Sequence, residues 1–231
     1  LFRSNEDGNI PWYDTNAYSP NIRVQNRMNA ISSAYCQLSS SRLEYVRFFM
    51  DKHSAIPTWI MIKVVNFSTF IDILHNSKTS VTHSICELYD MKDSNQKPNV
   101  KLLIGSLHWL RKVRNSCAHN ERIFCIRESP EKNSGRIIEN YISALRSSYT
   151  KNSDKKIFDL LVYFKYYLPT QEYRQMMSEL MEMLTNLQNC IPKNAFDNIR
   201  GKMGIKNLED LNTLINLPKD PICYNKFDKF I

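Results

Sequence analysis

The string with the most chemistry in these 231 residues runs from Leu110 to Phe124 and reads L-R-K-V-R-N-S-C-A-H-N-E-R-I-F. Within it stand Arg114, Asn115 and His119. An imidazole titrates near neutrality and can take or give a proton. A guanidinium can grip a phosphate and offset the charge that develops on it. The amide of Asn115 can orient either partner. With no metal-ligand set to activate water, the natural nucleophile for such a trio is the 2′-OH of RNA itself. That reaction leaves a cyclic phosphate and a free 5′-OH, and DNA is inert to it.

The trio must be positioned by a helix. Asn115 and His119 are four residues apart and share a face about 40° wide. Arg114 lies about 140° around the axis from His119. One helix therefore cannot aim both at a single point, but a groove between two helices can. The most economical second helix is that of another copy, so a symmetric dimer with a composite site is expected. On its own, R-x4-H also describes a helix whose arginine pairs with a neighbouring acid and whose histidine caps a carbonyl.

Charge supports a polyanionic partner. The net charge is +8, and five of those charges fall between Lys101 and Arg127. Lys101, Arg111, Lys112, Arg122 and Arg127 are the candidate RNA-contacting residues around Arg114, and Glu121 is the one acid among them. A local excess of this kind attracts polyanions, although a solvated helix face looks the same in sequence.

Other chemistries lack their residues. Gly201 and Gly204 have no phosphate-loop context, and neither G-x-S-x-G nor H-E-x-x-H occurs. No cofactor and no metal site is expected. His53, His75, His83 and His108 read as surface or interhelical hydrogen bonders. The six cysteines have no C-x-x-C spacing; they read as reduced, mostly buried and in a cytoplasmic setting. No apolar run approaches the roughly 20 residues of a membrane span.

The elements follow from periodicity. Five glycines in 231 residues disfavour a turn-rich barrel or sandwich. Residues 1–20 read as an irregular segment anchored by Trp12 and Tyr13, residues 21–217 as one helical domain, and 218–231 as an irregular tail. Helices are expected over 21–38, over a segment containing Leu43, Val46, Phe49 and Met50 and capped by Ser39 to Ser41, and over 57–76, the most apolar stretch and central to a core. More follow over 80–89, 99–119, 136–149, 155–168, 170–190, 195–202 and 207–216. Met176, Leu180, Met183, Leu184 and Leu187 read as one core stripe. Arg122 to Arg127 is either a short strand or a helix extension. The class is all-α.

The longer string V-R-N-S-C-A-H-N-E-R-I-F resembles the L-R-N-x-C-A-H-H-x-R-L-W signature of Abi-like proteins, the bacterial abortive-infection family that includes AbiD and AbiF, within the HEPN superfamily. Upstream, Ile56-Pro57-Thr58-Trp59 through Ser68-Thr69-Phe70 resembles that family's I-P-x-W-x-x-x-E-x-x-S-F-G segment, with Lys63 in place of Glu and Thr69 in place of Gly. Asn120 stands where His is common. The resemblance spans residues 56–124. It implies a HEPN-like helical bundle with additional helices and a metal-independent endoribonuclease site of the R-x4-6-H type, commonly assembled across a homodimer. Arg114, Asn115 and His119 match the motif positions. It further implies phage defence, with toxic RNA cleavage restrained by an antitoxin that in some members is a small noncoding RNA. Neither DNA nor a membrane is an expected partner. Because family members carry more helix upstream, an N-terminal portion is expected to precede Leu1.

Two other readings stay open. The first is a non-catalytic module that uses the basic groove to hold a structured RNA or a protein. The second is a purely structural helical scaffold.

Overall fold

A computed structural model describes residues 10–53, 56–93, 95–128 and 154–217. The helix expected over 136–149 and the tail over 218–231 lie outside the described residues. Ten α-helices and two short 3-10 turns make up the described chain, with no β-strand among the described residues. The protein is all-α. No helix among the described residues is long and apolar enough to cross a membrane.

The chain divides into two compact units, Leu1–Ile85 and Cys86–Ile231. In the first unit a 3-10 turn at Thr15–Ala17 leads into α1 (Val24–Ser39), α2 (Glu44–Lys52), α3 (Thr58–Val64), α4 (Phe67–Asn76) and α5 (Thr79–Leu88), which carries the boundary. Helix α1 packs on α3 and α4. It buries Ala30, Ile31, Ala34 and Leu38, a stripe at helical spacing whose two alanines permit close approach. Trp12 is the anchor its sequence position suggests: it is buried, and its Nε1 donates to the carbonyl of Ile56 at 2.8 Å.

The expected single helix over 57–76 is two helices. Asn66 breaks it by capping α4, its side chain accepting the Thr69 amide at 2.9 Å. Its own amide donates to Gln37 Oε1 at 2.6 Å, which satisfies a group a continuous helix would have used. Nor is this stretch buried all round, for Trp59 is 49% and Ile62 37% exposed. The cap of α2 differs too. Leu43 occupies the N-cap, while the hydroxyls of Ser39 and Ser40 donate backwards to the Cys36 carbonyl at the end of α1.

The second unit contains α6 (Val100–Ala118), a 3-10 turn at Ile123–Cys125, α7 (Ile157–Tyr167), α8 (Thr170–Cys190), α9 (Lys193–Met203) and α10 (Glu209–Asn216). Arg122 to Arg127 is thus neither strand nor helix extension; its centre is that 3-10 turn. Helix α7 is buried on nearly every side and packs on α6 and α8. On α8 the buried residues are Tyr173, Met177 and Leu184, whereas Met183 of the expected stripe is 62% exposed. The cysteines also differ from expectation. Of the five described, only Cys86 is buried; Cys36, Cys117 and Cys190 are exposed, and all five are free thiols.

Candidate functional site

Helix α6 positions the motif. Its start is fixed by Asn99, whose side chain accepts the Leu102 amide at 3.0 Å. Leu102, Leu103, Leu107, Trp109 and Val113 are buried, which sets the rotation of the helix. Lys112, Asn115 and His119 lie together on an exposed face, and Arg114 is exposed about 140° around the axis from His119.

The helix stops at His119 by a Schellman turn. Asn120 adopts φ +53°, the left-handed region that asparagine tolerates better than most residues. The Glu121 amide then donates to the Ser116 carbonyl at 2.9 Å, and the Asn120 amide to the Cys117 carbonyl at 3.2 Å. The Ser116 hydroxyl closes the turn by donating to Glu121 Oε2 at 2.6 Å. His119 is therefore the C-cap residue, its amide donating to the Asn115 carbonyl at 3.0 Å.

Asn115 and His119 open onto one concavity of about 400 Å³, together with His108, Arg111, Lys112, Ser116, Glu121 and Glu128. That volume lies at the small end of ligand pockets, which run from roughly 300 to 1,000 Å³. Lys112 Nζ donates to the Arg127 carbonyl at 2.8 Å and lies 5.6 Å from the centre of the Trp109 ring. The buried Oε2 of Glu128 has no hydrogen-bond partner, so an acidic acceptor stands among the cleft's cations.

Arg114 is not part of the cleft lining. Its Nη1 donates to Asn115 Oδ1 at 3.0 Å, so it reaches the site's edge only through that amide. This agrees with the angular separation expected from the spacing. Of the five candidate RNA-contacting residues, Arg111 and Lys112 line the cleft. Lys101 lies exposed in the first turn of α6, Arg122 precedes the 3-10 turn, and the Arg127 guanidinium sits 4.0 Å from the Asp154 carboxylate. His108 was missed as a site residue. The signal was present, because eleven residues from His119 return it to within about 20° of the same helix face, three turns away. A larger concavity of about 730 Å³ belongs to the first unit and holds none of the predicted site residues.

The scaffold is all-α, and its cleft sets His119 and Asn115 among two cations, Arg111 and Lys112, and two acids, Glu121 and Glu128. The model of the Abi-like protein family matches residues 4–125, more than half of the chain. The chain belongs to the Abi-like protein family, and this membership points to an abortive-infection function. The match ends at Cys125, just past the histidine motif. No curated protein and no solved structure matches the chain significantly.

Proposed function

We propose that this protein is a metal-independent endoribonuclease of an abortive-infection or toxin–antitoxin defence system, of the HEPN type, acting in the cytoplasm. The observation that supports it best is that Asn115 and His119 share one cleft with Arg111 and Lys112. In this reading the cleft cations hold the RNA backbone beside the imidazole. His119 takes the proton of a 2′-OH, whose oxygen forms a bond to the adjacent phosphorus. The P–O5′ bond breaks, and the leaving oxygen takes a proton from solvent to become a 5′-OH, while His119 returns its own proton to solvent. The partner product is a 2′,3′-cyclic phosphate. The Arg114 guanidinium offsets the charge growing on the phosphoryl oxygens, with Asn115 orienting it.

Because Arg114 lies outside the cleft of its own copy, its role is served by a homodimer in which the two α6 ends share a composite site. The substrate is RNA, and a small noncoding RNA is a candidate antitoxin. The test uses a 5′-labelled RNA in EDTA, with end-group analysis of the products. Cyclic phosphate and 5′-OH ends are expected, and a substrate with 2′-deoxyribose at the cleaved position stays intact. Products with 5′-phosphate, or cleavage of the deoxy substrate, overturn the mechanism.

One observation favours a second reading. Within a single copy the Arg114 guanidinium and the His119 imidazole do not line one cavity, as suits a module that holds a structured RNA without cutting it. Salt-sensitive RNA binding with no product would select that reading.

A further inference from the structure

Exposed large apolar residues of the first unit lie on α1, α2 and α3, and two of them, Phe48 of α2 and Trp59 of α3, are rings joined through one cluster. Phe48 is 54% exposed and Trp59 49%, unusual values for rings of this size. They belong to a continuous ring cluster. Phe48 meets the His53 ring at 5.4 Å, His53 stacks on Phe49 at 4.7 Å, and Phe49 meets Trp59 edge-on at 5.8 Å. Phe49 roots the cluster, for it packs against the buried core of the unit. The platform is therefore held by the fold while its outer rings face solvent.

Cations interleave with these rings. Lys63 Nζ lies 5.3 Å from the centre of the Trp59 ring. Arg42, Arg47 and Lys52 are exposed on or beside α2, and only Glu44 and Asp51 oppose them between residues 42 and 63. Rings to stack on, spaced among positive charges, are the features by which a surface holds single-stranded nucleic acid. A second copy of the chain fits less well. A two-fold contact sets the same patch against itself, and here it would oppose a segment in which four cations outnumber two acids with its own copy.

We propose that Phe48, His53 and Trp59 form a base-stacking platform for single-stranded RNA, separate in sequence from the His119 cleft. The platform extends the RNA reading of the protein but does not need cleavage to operate. It binds through unstacked bases and backbone charge, so it discriminates strandedness more than sequence.

The test uses the full chain carrying His119→Ala, a fluorescein-labelled oligouridylate and a duplex RNA of equal length. Of the three tryptophans, Trp12 and Trp109 are buried and Trp59 is exposed, so quenching of tryptophan emission by unlabelled oligouridylate reports on Trp59. Oligouridylate is expected to quench that emission and to bind more tightly than the duplex. Phe48→Ala and Trp59→Ala are each expected to weaken oligouridylate binding by about fivefold or more. Trp59→Phe should keep binding and lose the quench. Circular dichroism checks that each variant is folded, as expected for such exposed side chains. Unchanged affinity in both alanine variants, or equal binding of duplex, overturns the proposal. So does a dimer that Trp59→Ala dissociates with RNA binding intact, because the patch is then a protein interface. Binding through the platform by a wild-type chain that cleaves nothing in a parallel assay would sink the ribonuclease reading and leave the platform standing.

Discussion

Glu121 holds Ser116 twice. Its amide donates to the Ser116 carbonyl at 2.9 Å, and its carboxylate accepts the Ser116 hydroxyl at 2.6 Å. The residues between these two include His119, so the clasp fixes where the helix ends and where the imidazole begins. Ser116→Ala is expected to cost about 1–2 kcal/mol in urea denaturation. It should also slow cleavage more than it weakens RNA affinity. An unchanged denaturation midpoint and an unchanged rate would show that the clasp does not hold the site.

The left-handed residue at the same turn can be tested through backbone preference alone. Asn120→Gly is expected to leave the thermal midpoint nearly unchanged, because glycine adopts φ +53° freely. Asn120→Val should lower stability by about 1–2 kcal/mol, since a β-branched side chain is strained there. Equal midpoints for the two variants would mean that the turn has no fixed hand.

Charge in the cleft should be legible in salt. Arg111→Ala and Lys112→Ala are each expected to weaken RNA binding and to reduce the slope of log K against log salt by roughly one. Lys101→Ala, outside the cleft, should have a smaller effect. Glu128→Gln removes an opposing charge beside them and should tighten binding about threefold at low salt. Anisotropy titrations across a salt series separate these outcomes, and identical slopes for all four variants would place the RNA elsewhere.

How much of this was readable beforehand depends on whether local signals were strong enough. Helix α6 was legible at both ends, because Asn99 is a cap and the apolar steps from Leu103 to Val113 stop where the polar motif begins. The break at Asn66 was hidden, since Val64, Val65 and Phe67 continue the apolar run, and the partner that frees the Asn66 amide is Gln37, distant in sequence. Exposure at Trp59, Met183 and three cysteines was also hidden, because residue type says what can be buried and packing decides what is. At the site, the separation of Arg114 from His119 followed from helix geometry alone. The acids Glu121 and Glu128 came to the cleft through the turn after α6, which periodicity does not predict.

A buried lysine gives the protein a pH signature away from the site. Lys165 is buried, donates to the Leu214 carbonyl and lies over the Tyr173 ring. Burial, with Arg174 adding to it, lowers its ammonium from 10.5 to about 8. Between those values the unfolded chain binds the proton that the folded one has released, so stability rises with pH in that window and is flat in this respect below it. From about pH 7.5 to about pH 9, the wild type is expected to gain about 1 kcal/mol relative to Lys165→Met. Denaturation of both proteins at the two pH values gives the difference, and parallel pH dependence would contradict it.

If His119 and Arg114 cut RNA together, one gel shows it. Wild type, His119→Ala, Arg114→Ala and an equimolar, re-equilibrated mixture of the two variants are incubated with labelled RNA in EDTA. Cleavage is expected from wild type, with a loss of about a hundredfold or more in each variant. Partial recovery is expected in the mixture, where one composite site in a mixed dimer is whole. Equal cleavage by wild type and both variants would contradict it.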